Sequence, residues 1–208
     1  MKRLLSIDFD YFIDTNLDTR NTKFPDGVDD KPQEELNREW EYFYNTYPEI
    51  KEIGVTEEFN TVCKALRWWL PTETSNGAVK CFIALSHKDI KKVFNDDPTV
   101  SEDFLVTHID FHHDCYISGG NTLDCANWVR ILKDRRPNSE VNWIRREDSE
   151  MTSLFGEYPY PSTTELKFES EYDYIFICLS PEWTPPHLNQ MFEFMCAQAV
   201  RFEVIKTF

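Results

Sequence analysis

The sequence is notable first for three things that it lacks. None of its apolar runs approaches the ~20 residues that a helix needs to cross a bilayer, and the few apolar residues before Asp8 are too short a run for a secretory signal. Its six cysteines contain no C-x-x-C pair, and its 22 Lys and Arg are outnumbered by 37 Asp and Glu, for a formal net charge of −15. We therefore expect a cytoplasmic protein with reduced thiols and with neither a nucleic-acid nor a membrane partner.

What is present predicts one α/β domain over residues 1–208, because 41% of the residues are hydrophobic and apolar runs alternate with helical patterns. The predicted strands cover residues 3–9, 79–85, 104–110, 141–145, 174–179 and 202–207, and the predicted helices cover 33–47, 56–70, 122–133 and 185–200. This order indicates a three-layer αβα fold with a mostly parallel sheet. Two polar segments, 14–32 and 146–171, have no predicted element, and we expect them to border the active site or to hold a partner.

The most informative motif is Asp110-Phe-His112-His113-Asp114, which directly follows an apolar strand. Extended backbone directs residues i, i+2 and i+4 to the same side, so Asp110, His112 and Asp114 can converge. Two carboxylates and an imidazole without a thiolate favour Mn, Fe, Co or Zn. A polar turn after a strand is the alternative explanation.

Two other predicted strands are also followed by candidate metal ligands. Asp8 and Asp10 follow the first strand, and two carboxylates with this spacing are costly to bury unless a cation or a proton neutralises them. His87 follows the strand at 79–85, where Ser86 is positioned to cap a short helix. A solvated strand end and a hydrogen-bonded histidine are the alternatives. Because parallel strands place their carboxyl ends at one edge of the sheet, the combined pattern predicts a metal cluster there.

A fourth strand, at 174–179, precedes Glu182-Trp183-Thr184-Pro185. Glu182 either stabilises the N-terminus of the next helix, an effect of about 0.3–1 kcal/mol, or pairs with a cationic group of a substrate.

These motifs together resemble the arginase/ureohydrolase superfamily. Asp110-Phe-His112-His113-Asp114 is similar to its D-A-H-x-D motif, Ser6-Ile-Asp8-Phe-Asp10 to its S-x-D-x-D motif, and Leu85-Ser86-His87-Lys88 to its G-D-H-S segment. The segments around Ile7–Phe12 and Glu182–His187 resemble more closely the divergent peptide arginases, which convert arginine residues of a ribosomal precursor peptide to ornithine. The S-x-D-x-D segment precedes D-x-H-x-D here, so the resemblance implies a circularly permuted arginase-like fold.

The resemblance also implies a binuclear manganese site and a reaction that releases urea from arginine. One Mn²⁺ would be held by His87, Asp110, Asp114 and Asp8, and the other by His112, Asp10 and the shared Asp110 and Asp8. Glu182 would receive the guanidinium group, and Asp110 would belong to the catalytic set. Asn127 lies near the position of the family's proton-shuttle histidine, with His113 and His187 as substitutes. The implied partner is an arginine-containing precursor peptide, docking on 14–32 or 146–171, and the oligomeric state stays open.

Three other functions remain as alternatives. A haloacid-dehalogenase-like phosphatase would use Asp8 as nucleophile and Asp10 as acid/base, although Phe12 stands where those enzymes carry Thr or Val. A metal-dependent deacetylase on a related fold would bind one zinc and an acylated lysine. A non-catalytic module would bind metal and basic peptides without turnover.

Overall fold

The computed structural model describes residues 1–25, 31–75, 77–95, 102–117, 122–153 and 156–208. Its main feature is a seven-stranded parallel sheet, accompanied by two short antiparallel pairs. In chain order the strands are β1 (Lys2–Asp8), β2 (Glu73–Thr74), β3 (Gly77–Ala78), β4 (Lys80–Ala84), β5 (Phe104–Ile109), β6 (Glu140–Ile144), β7 (Thr152–Ser153), β8 (Gly156–Glu157), β9 (Ser162–Thr163), β10 (Tyr174–Cys178) and β11 (Glu203–Lys206). The large sheet has the spatial order β11-β4-β10-β1-β5-β6-β9.

Helices cover both faces of this sheet and give the three-layer αβα arrangement that the sequence predicts. The α-helices are α1 (Leu17–Lys23), α2 (Gln33–Thr46), α3 (Glu57–Lys64), α4 (Lys91–Phe94), α5 (Trp128–Arg135) and α6 (Asn189–Gln198). Short 3-10 turns lie at Phe9–Phe12, Pro48–Glu52, His87–Ile90, Pro186–Leu188 and Ala199–Arg201, and a π-helical turn lies at Ala65–Trp69. Apolar side chains of α2, α3 and α6 pack on one face, and those of α4 and α5 pack on the other.

The strands alternate their side chains between these two cores, as the period of two requires. In β1, Leu5 and Ile7 belong to the core under α2, α3 and α6, whereas Leu4 belongs to the core under α5. All three of these side chains are fully buried. The continuous apolar character of β1 and β10 is therefore explained by burial on both faces.

The six predicted strands are confirmed, but three other predictions were wrong in part. Segment 14–32 contains helix α1, and 146–171 contains β7, β8 and the sheet-edge strand β9, while residues 26–30 and 154–155 lie outside the described residues. The helix predicted at 122–133 begins only at Trp128. Before it, Asn127 accepts a hydrogen bond from the Asp124 N–H and donates one to the Thr122 carbonyl, so the side chain stabilises a turn in place of a helical start.

The sheet order brings the four motif-bearing strands side by side as β4-β10-β1-β5. Their carboxyl ends lie at one edge, where parallel α/β sheets bind ligands. All six cysteines are free thiols. Within the described residues, no helix combines the length and apolar character needed to span a bilayer.

Candidate metal centre

The end of β1 holds two buried carboxylates in fixed orientations. Asp8 is the last residue of the strand and caps the 3-10 turn Phe9–Phe12, accepting a 3.2 Å hydrogen bond from the Asp10 N–H. Asp10 lies inside that turn and accepts a 3.4 Å hydrogen bond from the Phe111 N–H. Both side chains are at most 5% exposed. The local backbone thus positions the pair before any ligand is considered.

The end of β5 supplies the second group of carboxylates. Asp110 Oδ1 accepts a 2.7 Å hydrogen bond from the His112 N–H. Asp114 has a φ of +49°, a left-handed conformation that aspartate tolerates better than most residues, and its Oδ2 accepts a 2.6 Å hydrogen bond from Trp128 Nε1. A strained backbone at a buried carboxylate is typical of a functional site.

His87, Asp8, Asp110 and Asp114 form the first of two loci, which we call the His87 position. Nδ1 of His87 lies 3.1 Å from Asp8 Oδ2, 3.2 Å from Asp110 Oδ2 and 3.1 Å from Asp114 Oδ2. One N–H group cannot donate linearly to three oxygens at once. Ligands at right angles around an ion with bonds of about 2.1 Å are about 3.0 Å apart. Each of the three carboxylate oxygens therefore lies at the distance from His87 Nδ1 that separates neighbouring ligands of one cation.

The far side of His87 is also held in place. Ser6 Oγ lies 2.8 Å from His87 Nε2, and the ring stacks on Phe176 with a 5.4 Å centroid distance. A histidine whose Nε2–H donates to Ser6 presents an unprotonated Nδ1 to the carboxylates. Such outer hydrogen bonds commonly orient metal-binding histidines.

Asp10, Asp110 and His112 form the second locus, the His112 position. Nδ1 of His112 lies 2.9 Å from Asp10 Oδ2 and 3.9 Å from Asp110 Oδ1. Oδ2 of Asp10 and Oδ2 of Asp110 are buried without a hydrogen-bond partner among the described residues. Buried carboxylate oxygens are costly to leave unpaired, so these orphaned atoms fit a cation shared through Asp110.

The pKa values reflect the crowding of charge in this cluster. Burial, and then the charges of Asp114 and Asp10, raise the pKa of Asp110 well above its usual range. Burial alone would lower the pKa of His87, but the surrounding carboxylates raise it well above 6.5. Burial alone would raise the pKa of Asp10, yet His112 and Arg20 lower it to about 2. Without a cation the cluster retains protons that a metal ion would displace.

A cavity of about 160 Å³ opens onto both loci. Its described lining includes four carboxylates, those of Asp8, Asp114, Glu150 and Glu182, and no lysine or arginine. Glu182 is only 8% exposed, and its Oε1 accepts a 3.1 Å hydrogen bond from the Lys31 N–H. The cavity is thus small and acidic, which favours a compact cationic group.

The structure brings together all six sequence-predicted metal ligands, and Glu182 lines the same cavity. His113 instead packs against Tyr116 at 4.1 Å and accepts a hydrogen bond from the Cys115 N–H, and burial lowers its pKa to about 4. Asn127 is fully buried in the turn before α5. His187 is tied to the Tyr44 hydroxyl and the Ile53 carbonyl. None of these three is among the described residues that line the cavity, and the proton-transfer roles suggested for them stay predictions.

Three residues at the site were not anticipated from the sequence. Ser180, with a φ of +49°, donates a hydrogen bond to Asp8 Oδ2. Arg20 is buried, and its Nη1 lies 3.7 Å from Asp10 Oδ2. His108 lies in β5 with Nε2 3.5 Å from Asp110 Oδ2. Of these, His108 carried a usable signal, because it extends the alternating pattern of Asp110 and His112 by one step.

Comparison of the chain with family models, curated proteins and solved structures finds no match. The resemblance to the ureohydrolases therefore depends on the sequence motifs alone and stays a prediction.

Proposed function

We propose that this protein is a metal-dependent hydrolase with two divalent cations, acting on the guanidinium group of arginine. The observation that supports it most strongly is the placement of His87 Nδ1 within 3.1–3.2 Å of three separate carboxylates. A second set, Asp10 and His112, shares Asp110 with the first. Sharing one carboxylate between two loci is the usual construction of two-metal hydrolase sites.

Manganese suits this donor set. The six ligands predicted from the sequence are four carboxylates and two imidazoles, and oxygen-rich sites without thiolate favour hard or borderline ions. Two such ions would lower the pKa of a water molecule and supply a nucleophile near neutral pH. Ser6 and Trp128 would orient His87 and Asp114 as ligands.

Two residues of the cavity lining support the proposed substrate class. Glu182 lines the cavity and its Oε1 accepts a hydrogen bond from the Lys31 N–H, and a carboxylate is the group that pairs best with a planar guanidinium. Trp183 lies 4.5 Å from the His112 ring and also lines the cavity, so it offers an aromatic wall to a cation. Groups that would bind the α-amino and α-carboxylate of free arginine are not recognisable in the sequence. We therefore propose arginine within a ribosomal precursor peptide as substrate, with ornithine and urea as products.

The alternative functions fit these contacts less well. A phosphate monoester would enter a cavity whose described lining has four carboxylates and no lysine or arginine. Asp8, the nucleophile that a phosphatase would require, is hydrogen-bonded to Ser180 and His87. A deacetylase with one zinc would leave Asp10 and His112 without a role.

The test is a reaction of Mn-loaded protein with arginine-containing peptides, followed by mass spectrometry and urea determination. We expect a loss of about 42 Da per modified arginine with one urea released, as hydrolysis at a two-metal site requires. Asp110→Asn should abolish both signals, because this carboxylate faces both loci. Glu182→Gln should retain both metals and lose turnover.

Matched controls separate chemistry from folding. Asp134→Asn and Glu171→Gln alter carboxylates on exposed surface, 60% and 52% exposed, and should leave turnover unchanged. Turnover of free arginine at the same rate would contradict the peptide assignment. Two bound ions with hydrolysis of acetyl-lysine peptides, and none of arginine peptides, would transfer the function to the deacetylase class.

A further inference from the structure

His108 is a buried histidine with no apparent reason to be polar. It is the next-to-last residue of β5, is 0% exposed, and packs edge-on against Trp128 at 4.9 Å and against His87 at 5.4 Å. Neither ring nitrogen has a hydrogen-bond partner among the described residues. A phenyl ring would fill this place without the penalty of burying two unpaired polar atoms. The imidazole therefore needs a partner that the described protein atoms do not provide.

The direction of the ring indicates that partner. Nε2 of His108 lies 3.5 Å from Asp110 Oδ2 and 3.9 Å from Asp114 Oδ2, the same two oxygens that face His87. Ligand atoms of His87, His108 and Asp110 all lie within 4.8 Å of one another. Ligands of an ion with bonds of about 2.1 Å are separated by about 3.0 Å at right angles and about 4.2 Å when opposite. His108 Nε2 falls within this range.

A hydrogen bond from His108 to Asp110 explains the geometry less well. The separation of 3.5 Å exceeds the usual N–H···O distance, and Asp110 Oδ2 has no hydrogen-bond partner among the residues described. His108 is the next-to-last residue of β5, and Asp110 directly follows the strand. Extended backbone directs residues i and i+2 to the same side, so the end of β5 places His108 beside Asp110.

We propose that His108 is an additional ligand, through Nε2, of the cation at the His87 position. This inference rests on the proposed function only in requiring a metal at that locus. It gives the His87 position two imidazoles beside its carboxylates, whereas the His112 position has one. Imidazole ligands favour Fe, Co and Zn over Mn. The His87 position should therefore prefer manganese over these metals less strongly than a carboxylate-rich site would.

The decisive measurement is a count of imidazole ligands by X-ray absorption on metal-free protein reloaded with one equivalent of Co²⁺. We expect more than one imidazole per ion, approaching two. Without His108 as a ligand, an ion at either locus would have one imidazole, whichever locus it occupies. This readout uses the unaltered chain, so it does not depend on how a variant folds.

Two variants sharpen the result. His108→Phe keeps an aromatic ring against Trp128 and should weaken the first Co²⁺ by at least about ten-fold, the cost of losing even an outer partner of a ligand. The same variant should be no less stable than the parent chain when both are metal-free, because an unpaired polar group is removed. Tyr158→Phe is the matched control: it removes the hydroxyl of another buried ring that has no hydrogen-bond partner among the described residues and belongs to neither locus, so it should change neither the imidazole count nor the Co²⁺ affinity.

One imidazole per ion in the parent chain would overturn the inference and leave the proposed function intact. Unchanged Co²⁺ affinity in a folded His108→Phe would do the same. If the parent chain binds no divalent ion at all, both the inference and the proposed function fail.

Discussion

The His87 position and the His112 position share Asp110 but differ in how completely the protein encloses them. At the His87 position the histidine side chain is 2% exposed, and three carboxylates approach a single nitrogen at nearly equal distances. At the His112 position the histidine side chain is 19% exposed, and the nitrogen has one close carboxylate at 2.9 Å and one at 3.9 Å. The first locus is preorganised inside the fold, and the second faces the cavity.

The two loci also differ in charge. Arg20 lies beside the His112 position, where its guanidinium donates to the carbonyls of Asp10 and Ile13 and covers the Phe111 ring at 3.9 Å. This fixed cation neutralises part of the charge of Asp10. We infer that two cations bound at these loci would bind unequally, the tighter at the His87 position and the weaker, more exchangeable one at the His112 position.

The strongest test of this asymmetry compares His87→Asn with His112→Asn. His87→Asn replaces the basic ring nitrogen around which three carboxylates are arranged by a neutral amide, which is a poorer ligand, so the tight ion should bind about 100-fold more weakly and turnover should disappear. His112→Asn should lose the weaker ion and keep the tight one. Calorimetric titration with Mn²⁺, followed by metal analysis after dialysis, measures both steps. Equal losses in the two variants would show that the loci form a single cooperative site.

A second test removes the charge difference itself. Arg20→Met should tighten the weaker ion, because a positive charge 3.7 Å from Asp10 Oδ2 is lost. It should also destabilise the metal-free protein by about 3 kcal/mol, since breaking a buried ion pair leaves an uncompensated charge. Arg20→Lys, which keeps the charge, is the control, and urea unfolding with and without Mn²⁺ reports both effects. If Arg20→Met binds the second ion no more tightly than Arg20→Lys, Arg20 is structural and does not set the asymmetry.

The contrast between the loci also shows what sequence alone could and could not predict. Parallel strands with carboxylates and histidines at their ends predict convergence, since topology fixes where strand ends lie; Asp8, His87 and Asp110 were found in this way. The position of Arg20 at the site could not be predicted, because it depends on how α1 packs, and α1 lies in a polar segment with no apolar periodicity. The position of helix α5 was misjudged for a local reason, the Asn127 turn, that composition does not reveal.

The smallest expected effect is a pH dependence of stability that differs between the metal-free protein and the protein with a cation at the His87 position. The pKa of His87 is raised well above 6.5 by the carboxylates around Nδ1, although burial opposes them. A raised histidine pKa contributes stability that is fully present below the unfolded value and is lost as pH rises through the folded value. The metal-free protein should therefore lose stability as pH increases above about 6.5, by at most about 1.4 kcal/mol per pH unit for one proton.

A bound cation reverses the sign of this dependence. Metal binding requires unprotonated His87, so the stabilisation by Mn²⁺ should grow over the same range in which the metal-free protein weakens. Thermal unfolding between pH 6 and 9, with chelator or with Mn²⁺, measures the two slopes, and Asp110, whose pKa is also raised, adds to the downward slope of the metal-free protein. A metal-free parent chain whose melting temperature is flat or rises across this window would mean that His87 holds no extra proton. The three carboxylates would then not act together on its Nδ1, and the main distinction drawn between the two positions would fail.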